Sequence, residues 1–254
     1  MTDSSAGRPA TGALHGASGE PSLVSLVASG VVDAELAAVV WFLVDGGIPL
    51  VVAAPPTRLA AGTQLLAAAV GSVRADPSET TMAVTALDRP GAWQLVHGGR
   101  AGAVVGAGSL QELRDALARP PFQLSPQELT FLGCVLVASA PAERPTGRLR
   151  VTAAHYVRPL ARDAHGHAQE LPPAVLATWD ARLGRYEQFA WGVLPEIAAR
   201  LGRRVGDLEA DLHHRRDDLG GLAQAGLTSL AEVRRLIAGY RMTYGAPHGD
   251  NRQT

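Results

Sequence analysis

The stretch Ile48–Leu66, "IPLVVAAPPTRLAAGTQLL", is where this sequence comes nearest to nucleotide chemistry. Its apolar start reads as a buried strand, its middle as a short loop and its alanine- and leucine-rich end as a helix. Strand, loop and helix in that order frame a phosphate-binding loop. Such a loop needs small residues whose N–H groups curl around the phosphates. It also needs a lysine for the β- and γ-oxygens and a Ser or Thr hydroxyl for magnesium. The candidate loop here is Ala54, Pro55, Pro56, Thr57 and Arg58, with Gly62 and Thr63 on the helix side as if left from a Gly-Lys-Thr ending. Pro55 and Pro56 supply no N–H donors. Arg58 is the loop's cation, and its broad planar fork is not a compact ammonium. All 23 basic residues of the chain are arginine, so no lysine-dependent chemistry is available. Losing one close counter-charge costs on the order of 4 kcal/mol at an effective dielectric of about 20. A loss of that scale removes useful hydrolysis. Arg58 and the N-terminus of a Leu59–Val70 helix still favour an anion or a nucleotide, which keeps a binding role open.

Other chemistry-bearing residues carry weaker patterns. His165 and His167 stand two apart in the polar segment "DAHGHAQE", a spacing that suits neither one helix face nor a zinc motif. His213 and His214 lie in "DLHHRRDDL", whose mixed charge reads as a solvated helix face. His155 reads as a half-buried strand residue. Cys134, the single cysteine, sits in the apolar run "GCVLVASA" and reads as a buried core thiol. No serine has the G-x-S-x-G setting of a hydrolase nucleophile. No metal ligand set is predicted.

The elements that must position these residues follow from periodicity and caps. The 254 residues suffice for a sizeable core. Asp33 can start a helix and Gly46–Gly47 can end it. Its apolar run, Leu36–Val44, covers nearly all faces, as in a buried helix. That run is far short of the roughly 20 residues of a membrane span. Ile48–Ala54 reads as a strand covered on both faces. Thr81–Leu87 and Ala101–Ala107 are further strand candidates. Capping boxes are predicted at Ser109/Glu112, at Ser125/Glu128 with Pro126 first in the helix, and at Ser229/Glu232. "GCVLVASA" and "GRLRVTAAHYVRPL" around "PAERPTG" read as a strand–turn–strand pair. From about Pro173 the sequence reads as helices, including "PAVLATWDARLGRYEQFAWGVLPEIAARLGRR". Residues 1–20 and 245–254 read as disordered tails, and the N-terminal one lacks the apolar core of a signal peptide. With a net charge of −1, no basic field points to nucleic acid or an anionic membrane. The cytoplasm is the expected location.

Taken in order, these stretches resemble the ATPases of type II and type IV secretion systems, type IV pili and archaeal flagella, the archaeal-type branch above all. "SLVSLVASGVVDAELAAVVWFLVDGGIPLVVAAPP" resembles that family's helix, strand and approach to the phosphate loop, where "AGPPGSGKTTLL" is usual. "AGAVVGAGSLQELRDALARPP" is similar to its histidine-box segment, and "FLGCVLVASAPAERPTGRLRVTAAHYV" to the strand pair after it. "RRDDLGGLAQAGLTSLAEVRRLIAGYR" is similar to the C-terminal helices of archaeal-type members. The likeness covers about two-thirds of the chain.

The departures fall on the chemistry. The family's lysine falls at Ala60 or Gly62. Its box histidine falls at Gly106, followed by Ala107, Gly108 and Ser109. The acidic Walker B pair is missing, and Glu79 and Asp88 in the shortened segment do not follow a strand into a Gly-Glu pair. No stretch of these 254 residues is similar to the family's separate N-terminal domain. The resemblance therefore implies an α/β fold: a shortened RecA-like P-loop-type core over residues 21–160, then a helical C-terminal region over 161–244. It implies a non-catalytic pseudo-ATPase, structural or regulatory in role, without catalytic residues and without a cofactor, with ATP and magnesium as the one alternative kept. Such a chain would dock on an active secretion or pilus ATPase subunit, on an assembly component, or on itself. Alternatives are a nucleotide- or anion-binding protein with little or no hydrolysis, and a folded remnant without specific function.

Overall fold

The computed structural model describes residues 20–74, 89–97, 102–140, 147–162, 165 and 167–244. The predicted strand over Thr81–Leu87, Glu79, Asp88, residues 245–254 and nearly all of the N-terminal tail lie outside the described residues. In chain order the elements are α1 (Leu23–Ala28), α2 (Ala34–Asp45), β1 (Leu50–Ala54), a 3₁₀ turn (Pro56–Arg58) and α3 (Leu59–Val73). Then come α4 (Arg89–Val96), β2 (Gly102–Gly106), α5 (Leu110–Ala118), α6 (Pro126–Leu129), β3 (Cys134–Ser139) and β4 (Arg150–Tyr156). They are followed by β5 (Ala161–Arg162), β6 (Ala168–Gln169), β7 (Ala174–Asp180), β8 (Arg185–Gln188), a 3₁₀ turn (Ala190–Gly192), α7 (Leu194–Arg200), α8 (Val205–Gln224) and α9 (Leu230–Tyr244).

The main sheet is mixed, in the order β2-β1-β3-β4-β7-β8. β1 is central to a parallel trio, flanked by β2 and β3. β4, β7 and β8 extend the sheet by antiparallel pairing. Alternation along β1 decides the layers. Leu50, Val52 and Ala54 face one core, and Val51 and Ala53 face the other. The first core is roofed by α1, α2, α3 and the C-terminal helices, with Leu208, Leu212, Leu219, Val233 and Ile237 in it. The second holds Leu95 of α4, Leu113 and Leu117 of α5 and Leu129 of α6. Helices on both faces explain why β1 is apolar at every position and fully buried.

Local chemistry sets the helix ends. The Asp33 carboxylate accepts the Leu36 N–H at 2.8 Å and caps α2. Beyond Gly46, Gly47 takes the left-handed backbone that ends the helix, with φ of +76°. Leu36 through Val44 are all buried, as a helix apolar on every side requires. The boxes at Ser125/Glu128 and Ser229/Glu232 close reciprocally. The box at Ser109/Glu112 does not. Ser109 Oγ accepts the Glu112 N–H, but the Glu112 carboxylate accepts the N–H of Gly108, one residue before the cap, at 2.8 Å.

The helical reading of the segment after Pro173 is corrected by β7 and β8, which form a hairpin at the sheet edge. Their loop closes on Asp180, whose Oδ1 accepts the N–H groups of Arg182 and Leu183. Gly184 takes a φ of +62° and donates to the Asp180 carbonyl. Alanine and leucine favour helix, but Val175, Thr178 and Trp179 suit a strand, and pairing with β4 overrides the weak propensity. The 161–244 region thus begins with strands, and its helices start at Leu194. Among the described residues no helix is long and apolar enough to cross a membrane.

Cys134 opens β3 with its side chain fully buried, and burial pushes the thiol up to about 12. A disulfide reagent at neutral pH is expected to leave native protein unmodified and to react with one thiol per chain after unfolding in urea. Rapid reaction of the native chain would contradict this placement.

Candidate functional site

The structure brings the two separated candidate stretches together at the carboxyl ends of the parallel strands. Ala54 ends β1 directly opposite Gly106, which ends β2. The Ala107 N–H donates to the Ala54 carbonyl at 2.9 Å. Pro56 leans over this junction, so a Cβ added at Gly106 would lie 3.5 Å from Pro56 Cγ. Gly108 and Ser109 follow at the start of α5.

Several backbone donors at this edge are missing or engaged. Pro55 and Pro56 have none. The Arg58 N–H donates to the Pro55 carbonyl at 2.7 Å, closing the 3₁₀ turn. The Ala107 N–H is bonded to Ala54, and the N–H groups of Gly108 and Glu112 form the α5 cap. A phosphate cradle works by turning such groups outward. Here those of Arg58, Ala107 and Gly108 fold inward. Thr57 is exposed and Arg58 half-buried.

Gly62 and Thr63 take different roles from those their spacing suggests. In a phosphate loop the Gly-Lys pair stands before the helix. Gly62 lies inside α3, buried beneath it. A Cβ there would meet Ala54 Cβ and Val104 Cγ1, each at 3.0 Å, so glycine lets α3 sit down on β1 and β2. The Thr63 hydroxyl donates to the Leu59 carbonyl at 3.0 Å, one turn back in its own helix.

The histidines stay apart from this edge. The His165 and His167 rings are 6.2 Å from each other on an exposed segment. His155 is a half-buried β4 residue, and burial lowers its pKa. His213 and His214 are exposed on α8. The solvated reading of that run fails for its neighbours, since Asp211 and Arg215 are buried. Among the described residues no group of His, Cys, Asp and Glu side chains is placed to hold a metal ion.

Two clusters were not foreseen. One is a buried ionic network. Arg215 is 1% exposed and pairs with Asp211 at 2.7 Å and with Asp45 at 3.1 Å. Arg241 donates to Asp45 at 2.6 Å and to the Val73 carbonyl at 2.7 Å. Arg203 and the Tyr240 hydroxyl also donate to Asp211. The Arg215 guanidinium lies 4.5 Å from the Trp41 ring centre and 5.0 Å from that of Tyr240. The network joins α2, α8 and α9, and it lies within the helical layer rather than at a surface.

The other cluster is an open cleft of about 440 Å³ lined by Gly30, Asp33, Arg150, Trp179, Arg185 and Tyr186 among others. Arg150 stacks on Trp179 with its guanidinium carbon 3.8 Å from the ring centre. Tyr186 meets Trp179 edge-on at 5.1 Å. The Tyr186 hydroxyl reaches the carbonyls of Val31 at 2.6 Å and Val151 at 2.7 Å, donating to them in turn. Burial, first of all, raises its pKa. The aromatic alternation in "TWDARLGRY" with its turn glycine is the sequence signal for this hairpin. Comparison with models of known families finds no match to this chain, and comparison with curated proteins finds none either.

Proposed function

We propose that this chain is a non-catalytic interaction protein, a degenerate and shortened relative of the secretion and type IV pilus ATPases. The observation that carries this reading is the junction of β1, the Pro56–Arg58 turn and α3. It keeps the strand, turn and helix order of a phosphate loop at the middle of a parallel trio. Pro55 and Pro56 bring it no N–H donors, the Arg58 and Ala107 N–H groups are bonded inward, and its sequence offers no lysine. A RecA-like core that has shed nucleotide chemistry while keeping what packs would look like this. Its role is then to dock on an active ATPase subunit, on an assembly component or on a second copy of itself.

Calorimetric titration with ATP and magnesium, and with a non-hydrolysable analogue, tests the loop. No saturable heat is expected up to millimolar nucleotide. Micromolar binding lost in Arg58→Ala would replace this reading with a nucleotide-binding one. The partner half is tested by capture from the native host. Recovery of a secretion or pilus assembly component is expected, and its repeated absence would count against the role.

A further inference from the structure

We propose that the cleft between β4, the β7–β8 hairpin and the α1–α2 turn is an oxyanion site that takes a small molecule presenting a phosphate or a carboxylate. Arg150, Trp179 and Arg185 all lie at the sheet edge where the parallel strands end. Ser139 at the end of β3 stands opposite Arg150, and Asp180 at the end of β7 stands opposite Arg185. The volume, about 440 Å³, falls in the range of small-molecule sites.

The charges of the cleft are left available. Among the described residues neither Arg150 nor Arg185 has a carboxylate partner within ion-pair distance. Asp33, the carboxylate of the cleft wall, keeps its charge, but its oxygens are held by neutral donors rather than by either arginine. It caps α2 through the Leu36 N–H and accepts the Gln188 amide at 2.8 and 3.0 Å. The Arg150 guanidinium carbon sits 3.8 Å over the Trp179 ring centre, a cation–π contact that holds the fork in the cleft without using a carboxylate. The ring is itself held by Tyr186, whose hydroxyl is tied to backbone on two elements. A planar fork held in place loses little freedom when it grips two oxygens of one anion. This inference is independent of the loop beside β1.

The test is calorimetric titration of the full chain with inorganic pyrophosphate and, separately, with succinate. Saturable binding of one of them is expected, and the tighter one identifies phosphate or carboxylate as the ligand class. Arg150→Gln is expected to weaken that binding by about tenfold or more. Arg150→Lys is expected to recover only part, since it keeps the charge without the fork. Arg185→Gln changes an exposed side chain, so it tests the site even if Arg150 variants fold poorly, and it too is expected to weaken binding. Arg58→Ala is expected to leave the affinity unchanged. The proposal is overturned if neither anion binds saturably, if Arg185→Gln and folded Arg150→Gln bind as the parent does, or if Arg58→Ala abolishes the binding.

Discussion

Asp45→Ala is expected to destabilise the fold by about 3 kcal/mol, because it takes one of two carboxylates from the buried Arg215 and, among the described residues, the only ion-pair partner from the part-buried Arg241. The Asp45 and Arg215 side chains are each 2% exposed, so water does not replace the lost carboxylate at Arg215. Arg241 loses the acceptor of its Nε and one of the two acceptors of its Nη2, which keeps the Val73 carbonyl. For a chain of this size each kcal/mol moves the melting temperature by about 2–4 °C, so a drop on the order of 10 °C is expected. Melting followed by circular dichroism, with urea unfolding as a second measure, checks it. A loss below about 1 kcal/mol would mean that the arginines find other partners. Acid acts on the same network through Asp211. Burial raises its pKa, but the hydrogen bond and charge of Arg215, with Tyr240 and Arg203, more than offset this and hold it below the ordinary range. Its contribution is therefore fully present above the unfolded carboxylate value of about 4 and is lost as pH falls through the lower folded value. Asp211→Asn should flatten that part of the acid limb. Such a network adds little net stability over apolar packing, but it fixes how α8 and α9 seat on α2.

That network shows where sequence reading stops. α2, β1 and the β3–β4 pair are legible because their signals are local: continuous apolar runs, an Asp33 cap and a glycine exit. α8 has an equally regular stripe, Leu208, Asp211, Leu212, Arg215 and Leu219, all buried. Two of its members are charged, so the stripe reads as solvated face. What buries Arg215 is Asp45, 170 residues earlier, and no local pattern encodes that pairing. The β7–β8 hairpin fails for a related reason. β7 does not alternate cleanly between buried and exposed positions. Its strand state depends on the edge offered by β4, and with it goes the cleft of Arg150 and Trp179. The loop candidates fared differently. Ala54, Pro55 and Pro56 and the Gly106–Ser109 stretch do meet at one edge. Gly62 belongs to the packing of α3 rather than to a nucleotide turn, because it is a backbone approach that only the third dimension shows.

Gly62→Lys is the second large effect, and it bears on function. If a lost lysine alone had silenced this loop, restoring one would be the natural repair. At position 62 it is expected to cost about 3–5 kcal/mol instead. The new Cβ would meet Ala54 and Val104 at 3.0 Å, both held by paired strands of the sheet. Overpacking of that kind costs about 1–3 kcal/mol. The ammonium would start its path beneath the helix without a carboxylate beside it, while the gain in helix propensity over glycine is only about 1 kcal/mol. Ala60→Lys is the matched control. Ala60 is exposed in the first turn of α3, so its stability should change by no more than about 0.5 kcal/mol. It is also expected to gain no ATP affinity, because a lysine cannot supply the N–H groups that Pro55 and Pro56 lack or free those that Arg58 and Ala107 have turned inward. Melting temperatures of the two variants and titration of Ala60→Lys with ATP and magnesium decide the matter. A fully stable Gly62→Lys would refute the packing role of Gly62. Tight ATP binding by Ala60→Lys would show that one side chain, rather than the backbone of the whole turn, separates this chain from a working phosphate loop.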